Sequence, residues 1–240
     1  MNCQSIKLPE KSWLLYNVML ESGVQYVYST EGAFAAQYPG KPLWLYASDD
    51  LDAKKLSLFF EKIDSTTGLI TSKRVADICP WPVKASFELA AFYLPDHMTY
   101  SPKGRLVFPT SSDIPIISKW MKDFYRQALD KDFIYEENTV KAFIDNKKIL
   151  CLEINGATIA AMGMLIPLPS YGLCRLNLIY TSPALRGRGF GKDMVAAIAM
   201  QAQAYGQLPV LYARTNNKAA MGLYNSLGFV EAGRLIELRF

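Results

Sequence analysis

A short segment of basic and glycine residues is the part of this chain best suited to bind an anion. It follows the apolar run 176–180 and precedes a helical pattern over 193–205, so it should form the loop at a helix N-terminus. There the first backbone N–H groups lack partners inside the helix, and the helix dipole is positive. Glycines let the backbone approach a phosphate closely, and basic side chains add charge. The pattern predicts an anion site without specifying the anion; its residues are Arg186, Gly187, Arg188, Gly189, Phe190, Gly191 and Lys192.

The segment fits neither of two common nucleotide-binding patterns. The phosphate-binding loop of nucleoside triphosphatases needs Ser or Thr after its lysine, whereas Lys192 is followed by Asp193. The dinucleotide pattern G-x-G-x-x-G also fails, because Gly187, Gly189 and Gly191 alternate strictly. Neither nucleotide fold is indicated.

A second segment, 217–229, carries Asn217 and, seven residues later, Tyr224. On a helix that spacing is about two turns and places both residues on nearly the same face. Leu227-Gly228-Phe229 indicates a helix C-terminus with a left-handed glycine and a strand after it. Alone, Asn217 fits an ordinary N-cap and Tyr224 a half-buried aromatic. The informative feature is the joint order of strand, basic glycine loop, helix, strand, Asn, helix and Tyr.

Together the two segments resemble the GNAT superfamily, the acyl-CoA-dependent N-acyltransferases. The resemblance implies acetyl-CoA as cosubstrate, with its pyrophosphate held by Arg186 and by Gly187 to Lys192. Backbone groups of Ile179, Tyr180 and Thr181 would pair with the pantetheine arm, and the Asn217 side chain would bond it as well. Tyr224 would be the general acid that protonates the departing thiolate. An amine would attack the thioester directly while backbone N–H groups of the preceding strand stabilise the oxyanion, without a covalent acyl-enzyme.

The sequence departs from the family pattern at one position. Many members carry a glutamate five residues before the Asn, as general base; here that residue is Tyr212. The base therefore stays open: a carboxylate acting through water, with Glu153 as a candidate, or an acceptor amine that arrives neutral. The departure also supports an alternative function, a CoA-binding sensor or regulatory module with little catalysis. In a third hypothesis the N-terminal half docks a partner protein on which the enzyme domain acts.

The elements over 105–240 are predicted in the order β-α-α-β-β-β-α-β-α-β, which is what the family fold looks like. Ser111-Ser112-Asp113 is a helix-start signal, and a second helix is predicted over 136–145. Asn155-Gly156 predicts a tight hairpin between strands 148–154 and 157–166. The fold class is therefore mixed α/β. The first helix has apolar residues at helical spacing, namely Ile114, Ile117, Trp120, Met121, Phe124 and Leu129.

Residues 1–100 are predicted to form a smaller α/β domain of uncertain role, with the GNAT-like domain at 105–240. The boundary is placed in the polar, turn-rich stretch 96–104. The N-terminal region vaguely resembles the degenerate half of two-part superfamily members, and it is expected to wall the acceptor pocket or to be only structural. It is predicted to contain helices at 11–21, 51–63 and 72–78 and strands at 24–28, 43–47 and 86–94.

Composition excludes several classes of protein. With 50% hydrophobic and 20% charged residues the chain can bury a core, so disorder is not expected. A net charge of +4 without a broad basic face argues against nucleic-acid binding, and no apolar run is long enough to span a membrane. Four scattered cysteines and a single histidine, His97, argue against a metal site. The polar start predicts no signal peptide, so a cytoplasmic location is expected. The acceptor implied by the family resemblance is a small-molecule or protein amine.

Overall fold

Residues 12–21, 23–38, 41–63, 67–130, 134–156 and 158–240 are described by the computed structural model of this chain. Within these ranges the helices are α1 (Trp13–Tyr16), α2 (Ala53–Phe60), α3 (Lys73–Ala76), α4 (Ile114–Leu129), α5 (Glu137–Asp145), α6 (Phe190–Ala204) and α7 (Lys218–Ser226). The strands are β1 (Gln25–Thr30), β2 (Ala33–Gln37), β3 (Leu43–Ala47), β4 (Leu69–Thr71), β5 (Ala85–Tyr93), β6 (Arg105–Val107), β7 (Ile149–Ile154), β8 (Thr158–Leu168), β9 (Leu173–Thr181), β10 (Leu208–Arg214) and β11 (Val230–Arg239).

The chain divides into two compact units that are interleaved along the sequence. The first unit comprises residues up to Ala91, together with Tyr212–Asn216 and Glu231–Phe240. The second comprises Phe92–Leu211 and Asn217–Val230. Strands β5 and β10 each contribute residues to both units. The sequence-based division into 1–100 and 105–240 stays a prediction about domains, and the compact units do not follow it as two consecutive segments.

In the first unit the strands follow the order β1-β2-β3-β4-β11-β5. Strand β3 is buried along its whole length, and it pairs antiparallel with β2 and parallel with β4. Asp52 is the N-cap of helix α2, and its side chain accepts a hydrogen bond from the N–H of Lys55 (2.8 Å). The helix buries Leu56, Phe59 and Phe60. Strands β2 and β4 are not predicted from the sequence, because β2 is rich in alanine and β4 is only three residues long.

In the second unit the strands follow the order β10-β9-β8-β7-β6. Strands β9 and β10 are parallel, and the pairs β8–β9, β7–β8 and β6–β7 are antiparallel. Asn155 and Gly156 connect β7 to β8 with φ angles of 52° and 74°, which is the left-handed geometry of the predicted two-residue hairpin turn. The predicted element order from β6 to β11 is confirmed, and the fold is mixed α/β as expected.

Helices cover both faces of this second set of strands. Helices α4 and α5 pack on one face, where Ile117, Met121 and Val140 share a buried cluster with Met162 of β8 and Leu178 of β9. Helix α6 packs on the other face so closely that a Cβ on Gly163 of β8 would lie 3.0 Å from Met194 Cε and 3.2 Å from Ile198 Cδ1. Gly163 therefore permits the helix to approach the strand. Across the described residues, no helix is long and apolar enough to cross a membrane.

Candidate active site

Strand β9 separates from β10 part of the way along its length. The two strands pair only at Leu208↔Leu173, Pro209↔Cys174 and Val210↔Arg175. Strand β9 continues to Thr181, still paired with β8 on its other edge. Among the described residues, its edge beyond Arg175 has no strand partner on the β10 side, and the Thr181 carbonyl accepts a side-chain hydrogen bond from Arg186.

A β-bulge lies on the same part of β9. Met162 pairs with Tyr180 and Met164 with Asn177, so Leu178 and Ile179 together oppose Gly163. Leu178 has a φ of 50°, which is uncommon for a residue with a side chain and marks local strain. A bulge leaves the extra residue outside the ladder of strand hydrogen bonds. The bulge therefore lies in the region where β9 and β10 are no longer paired.

The basic glycine loop follows β9 directly. Gly187 and Gly189 have φ angles of 75° and 89°, and no atom lies within 4 Å of a Cβ placed on either. Glycine is therefore favoured at both positions by the backbone conformation and not by lack of space. At Gly191 the reason is packing, because a Cβ there would lie 3.1 Å from Thr181 Oγ1 and 3.5 Å from Leu223 Cδ1. Gly189 is the N-cap of α6, so that helix begins at Phe190, before the predicted start at Asp193. The N–H groups of its first turn thus belong to the loop.

Of the loop's three cations, Arg186 is held in place by neighbouring residues. Its Nη2 donates a hydrogen bond to Gln127 Oε1 (2.7 Å) and its Nε donates one to the carbonyl of Thr181 (3.2 Å). The guanidinium also lies over the ring of Tyr180, 5.1 Å from the centroid. Arg188 is exposed. The loop therefore combines a fixed charge with an exposed one around a helix N-terminus, the arrangement that favours a bound phosphate.

Helix α7 carries the other two candidate residues. Asn217 is its N-cap, and its Oδ1 accepts a hydrogen bond from the N–H of Ala220 (3.1 Å). Tyr224 is only 8% exposed, with its ring 5.8 Å from that of Phe92 and 5.9 Å from that of Phe229. Burial raises the pKa of Tyr224 to about 12, so its hydroxyl keeps its proton at neutral pH. In the part of the chain that the structure describes, no hydrogen-bond partner meets that hydroxyl.

The structure shows what occupies the position of the family's glutamate. Tyr212 donates a hydrogen bond from its hydroxyl to the carbonyl of Leu15 (2.7 Å), and its ring lies 5.4 Å from that of Trp44. Its role there is structural. Glu153, the other candidate base, pairs with Arg105 at 2.9 Å, on a strand separated from β9 by β8. Neither side chain is placed as a base, and the base stays unassigned.

The cysteines are poorly suited to nucleophilic or metal chemistry. Burial raises the pKa of both Cys151 and Cys174 to about 12, which keeps these thiols protonated. His97 is exposed in the segment before β6. Within the described ranges no three His, Cys, Asp or Glu side chains converge as a metal site would require, and the expected absence of a metal stays a prediction. Cys3 lies outside the described residues.

Sequence reasoning missed two features of this region. The bulge at Leu178 has no signature, because nothing about a leucine in an apolar strand indicates a left-handed φ. The second is a buried carboxylate, Asp193, whose contacts reach back to Tyr100. An aspartate among the apolar residues of α6 is a visible signal, but its distant partners are not.

Comparison with known proteins identifies the class. The model of the acetyltransferase (GNAT) family matches residues 114–229, which include the bulged strand, the basic glycine loop and Tyr224. Residues 114–229 are therefore similar to the GNAT acetyltransferase domain, which indicates a transferase. No curated protein matches its sequence.

Solved structures show the same fold. A GNAT-family acetyltransferase from Colwellia psychrerythraea matches with a TM-score of 0.63 at 14% identity, over 99% of this chain and 98% of that one. A GCN5-related N-acetyltransferase from Kribbella flavida matches with a TM-score of 0.65 at 12% identity, over 96% and 95% of the two chains. At such identities the likeness concerns the fold alone, and it extends over nearly the whole chain.

Proposed function

We propose that this protein transfers an acetyl group from acetyl-CoA to a primary amine by direct attack within a ternary complex. Acetyl-CoA follows from the family, and the amine from the direct-attack chemistry that the family resemblance implies. In this proposal Arg186, the loop 187–192 and the first turn of α6 bind the pyrophosphate. The open edge at Ile179, Tyr180 and Thr181, with Asn217, binds the pantetheine arm.

The separation of β9 from β10 at a bulge is the observation that carries the proposal. The last β10 pair is Val210↔Arg175, the bulge lies at Leu178, and the loop begins after Thr181. A strand rises about 3.3 Å per residue, so the stretch from the bulge to the loop spans roughly 10 Å. An extended arm with amide groups can pair along such an edge, with its thioester near the bulge and its phosphates at the helix N-terminus.

The chemical step is then a balanced acyl transfer. The amine nitrogen attacks the thioester carbon, and the backbone N–H released at the bulge stabilises the negative charge on oxygen. The attack forms the C–N bond, and collapse of the intermediate restores the C=O bond and breaks the C–S bond. Tyr224 donates its proton to the departing sulfur, and the proton lost by the amine passes to solvent or to a base that is not assigned.

The high pKa of Tyr224 limits how that proton moves. A phenol whose pKa is raised to about 12 gives up its proton to a free thiolate unfavourably, since thiols ionise near pH 8.5 in water. Exclusion of water raises the pKa of the thiol as well, and this reduces the difference between the pKa values of the Tyr224 phenol and the thiol. Tyr224 therefore acts first as a hydrogen-bond donor to the developing thiolate and completes the transfer as the bond breaks.

Calorimetric titration with acetyl-CoA tests the donor site, with 3′-dephospho-CoA and ATP as comparison ligands. We expect saturable micromolar binding of acetyl-CoA and weaker binding of ATP, which lacks the pantetheine arm. Amines are then screened by release of free CoA thiol. Failure of acetyl-CoA to bind would mean that the glycine loop is only a structural turn and would remove the proposal.

A CoA-binding module with little catalysis is the second candidate. The engagement of the Tyr212 hydroxyl by Leu15 favours it, because no carboxylate occupies the position of the family's base. This candidate predicts tight binding of acetyl-CoA without thiol release by any class of amine. A cytoplasmic location fits both candidates, because each requires a supply of acetyl-CoA.

A further inference from the structure

A buried carboxylate lies behind the basic glycine loop. Asp193, in the first turn of α6, is 1% exposed. Its Oδ1 accepts hydrogen bonds from the hydroxyl of Tyr100 (2.8 Å) and from the backbone N–H of Lys103 (3.1 Å). Its Oδ2 is buried and has no partner among the described residues. Such a group is costly to bury, and the positive end of the α6 dipole offsets only part of that cost.

Tyr100 links this carboxylate to a cation of the loop. The hydrogen bond to Asp193 raises the pKa of Tyr100, so the phenol stays protonated and remains a donor. The other side of the link is Lys192, whose Nζ lies over the Tyr100 ring, 4.8 Å from its centroid. A phenol that donates a hydrogen bond to a carboxylate has more electron density on its ring, and this strengthens the attraction between the ring face and a cation.

We propose that Tyr100 is a positioning residue for the donor site. Its ring, oriented by Asp193, holds the Lys192 ammonium at the N-terminus of α6, where the phosphate groups of the donor would bind. This inference rests on the proposed function, because it assigns Lys192 the same anionic ligand.

Two observations distinguish positioning from a purely structural tie. The segment before β6 is already attached to α6 through Gln203, which donates to the carbonyl of Asp96 (2.7 Å) and accepts from the N–H of Met98 (3.0 Å). If Tyr100 served only to attach this segment to α6, the contact between Lys192 and the Tyr100 ring would not be needed. The second observation is Arg186, a cation of the same loop that is likewise fixed by neighbouring side-chain and backbone groups. The loop thus holds cations in place at two points.

Affinity for acetyl-CoA, measured by calorimetry on the full chain, tests the inference through a double-mutant cycle. We expect Tyr100→Leu to weaken binding about two- to fivefold, the loss typical of one exposed cation–π contact. Lys192→Ala should weaken binding at least as much. Adding Tyr100→Leu to Lys192→Ala should cause no further loss, because Tyr100 acts through Lys192.

Salt dependence gives a readout that a structural role would not change. Removing a cation that contacts phosphate reduces the slope of log Kd against log salt concentration, so Tyr100→Leu and Lys192→Ala should both reduce it. Tyr100→Phe retains the ring and should keep more affinity than Tyr100→Leu; it also serves if the leucine variant does not fold. Tyr205→Leu, at an exposed tyrosine beyond the other end of α6, is the matched control.

The outcomes separate this inference from the proposed function. If Tyr100→Leu and Tyr100→Phe bind acetyl-CoA like the unmodified chain, the positioning role is wrong and the donor site stands. The positioning role is equally wrong if the loss caused by Tyr100→Leu persists in the Lys192→Ala background or leaves the salt slope unchanged. Failure of the unmodified chain to bind acetyl-CoA would instead overturn the proposed function, and this inference with it.

Discussion

The hydroxyl of Tyr212 donates a hydrogen bond to the backbone carbonyl of Leu15 over 2.7 Å, joining residues 197 positions apart in the sequence. This contact stands where many members of the family carry a carboxylate. It connects β10 to the end of α1, and the Tyr212 ring packs against Trp44 beside it. Tyr212 therefore contributes to the packing of the first unit. A base for the proposed reaction has to come from the acceptor, from solvent or from another side chain.

We predict that Tyr212→Phe lowers stability and leaves turnover nearly unchanged. The variant keeps the ring contacts but leaves the Leu15 carbonyl without its side-chain donor, which costs about 1 kcal/mol of unfolding free energy. Urea denaturation measures the first effect and thiol release the second. A loss of turnover greater than the loss of folded protein would show that this hydroxyl takes part in the chemistry.

We predict that Tyr224→Phe lowers kcat by about a hundredfold or more, the usual contribution of a positioned proton donor. The ring contacts with Phe92 and Phe229 remain, so stability and the affinity for acetyl-CoA should change little. Thiol release and calorimetry measure the two quantities. Tyr205→Phe, at a tyrosine that is 71% exposed, is the control. If Tyr224→Phe turns over normally, Tyr224 is not the general acid.

The raised pKa of Tyr224 makes a prediction for the pH profile of turnover. The protonated hydroxyl is the active form, and a pKa raised to about 12 moves the loss of that form to high pH. Turnover should therefore rise with pH as the acceptor amine becomes neutral, and Tyr224 should cause no decline below about pH 10. The same raised pKa contributes stability that is present below about pH 10 and is lost toward pH 12, so circular dichroism must accompany the assay. A decline near neutral pH that Tyr224→Phe removes would contradict this prediction.

The loop glycines allow a matched pair of substitutions. Gly189 and Gly206 have φ angles of 89° and 69°, and neither has an atom within 4 Å of an added Cβ. Valine should strain the backbone similarly at both, by about 1–3 kcal/mol, but only Gly189 lies in the loop. We expect Gly189→Val to weaken acetyl-CoA binding at least about tenfold and Gly206→Val to leave it unchanged. Equal affinities in calorimetry would remove the loop from the pyrophosphate site.

Much of this fold can be predicted from local signals in the sequence. The apolar run 176–180 lies within strand β9, which is bounded by a glycine turn and by Ser182-Pro183. The hairpin at Asn155-Gly156 is predictable because those residues favour left-handed backbone. The loop segment 186–192 is recognisable because glycine alternates with basic residues there.

The remainder depends on contacts between residues distant in sequence. Asp193 meets Tyr100 across 93 positions, and no local pattern relates the two. The bulge at Leu178 results from a register difference between β8 and β9, which a single strand cannot reveal. The interleaving of the two units is not predictable from local signals either. Strands β5 and β10 each contribute residues to both units, whereas sequence reasoning places domain boundaries at polar turns.

A buried ion pair near the end of the chain leads to the last prediction. Glu237 accepts hydrogen bonds from Arg214 (3.1 Å) and from Arg239 (3.2 Å), and the side chains of Glu237 and Arg214 are each 4% exposed. Glu237→Gln removes the negative charge and leaves the Arg214 guanidinium buried against Phe87, which should lower the unfolding free energy by about 3 kcal/mol. Asp77→Asn is the control, because it breaks an ion pair with Lys73 whose side chains are 74% and 57% exposed, and such pairs contribute at most about 1 kcal/mol. Urea denaturation measures both changes, and similar values for the two variants would show that burial does not amplify the Glu237 interaction.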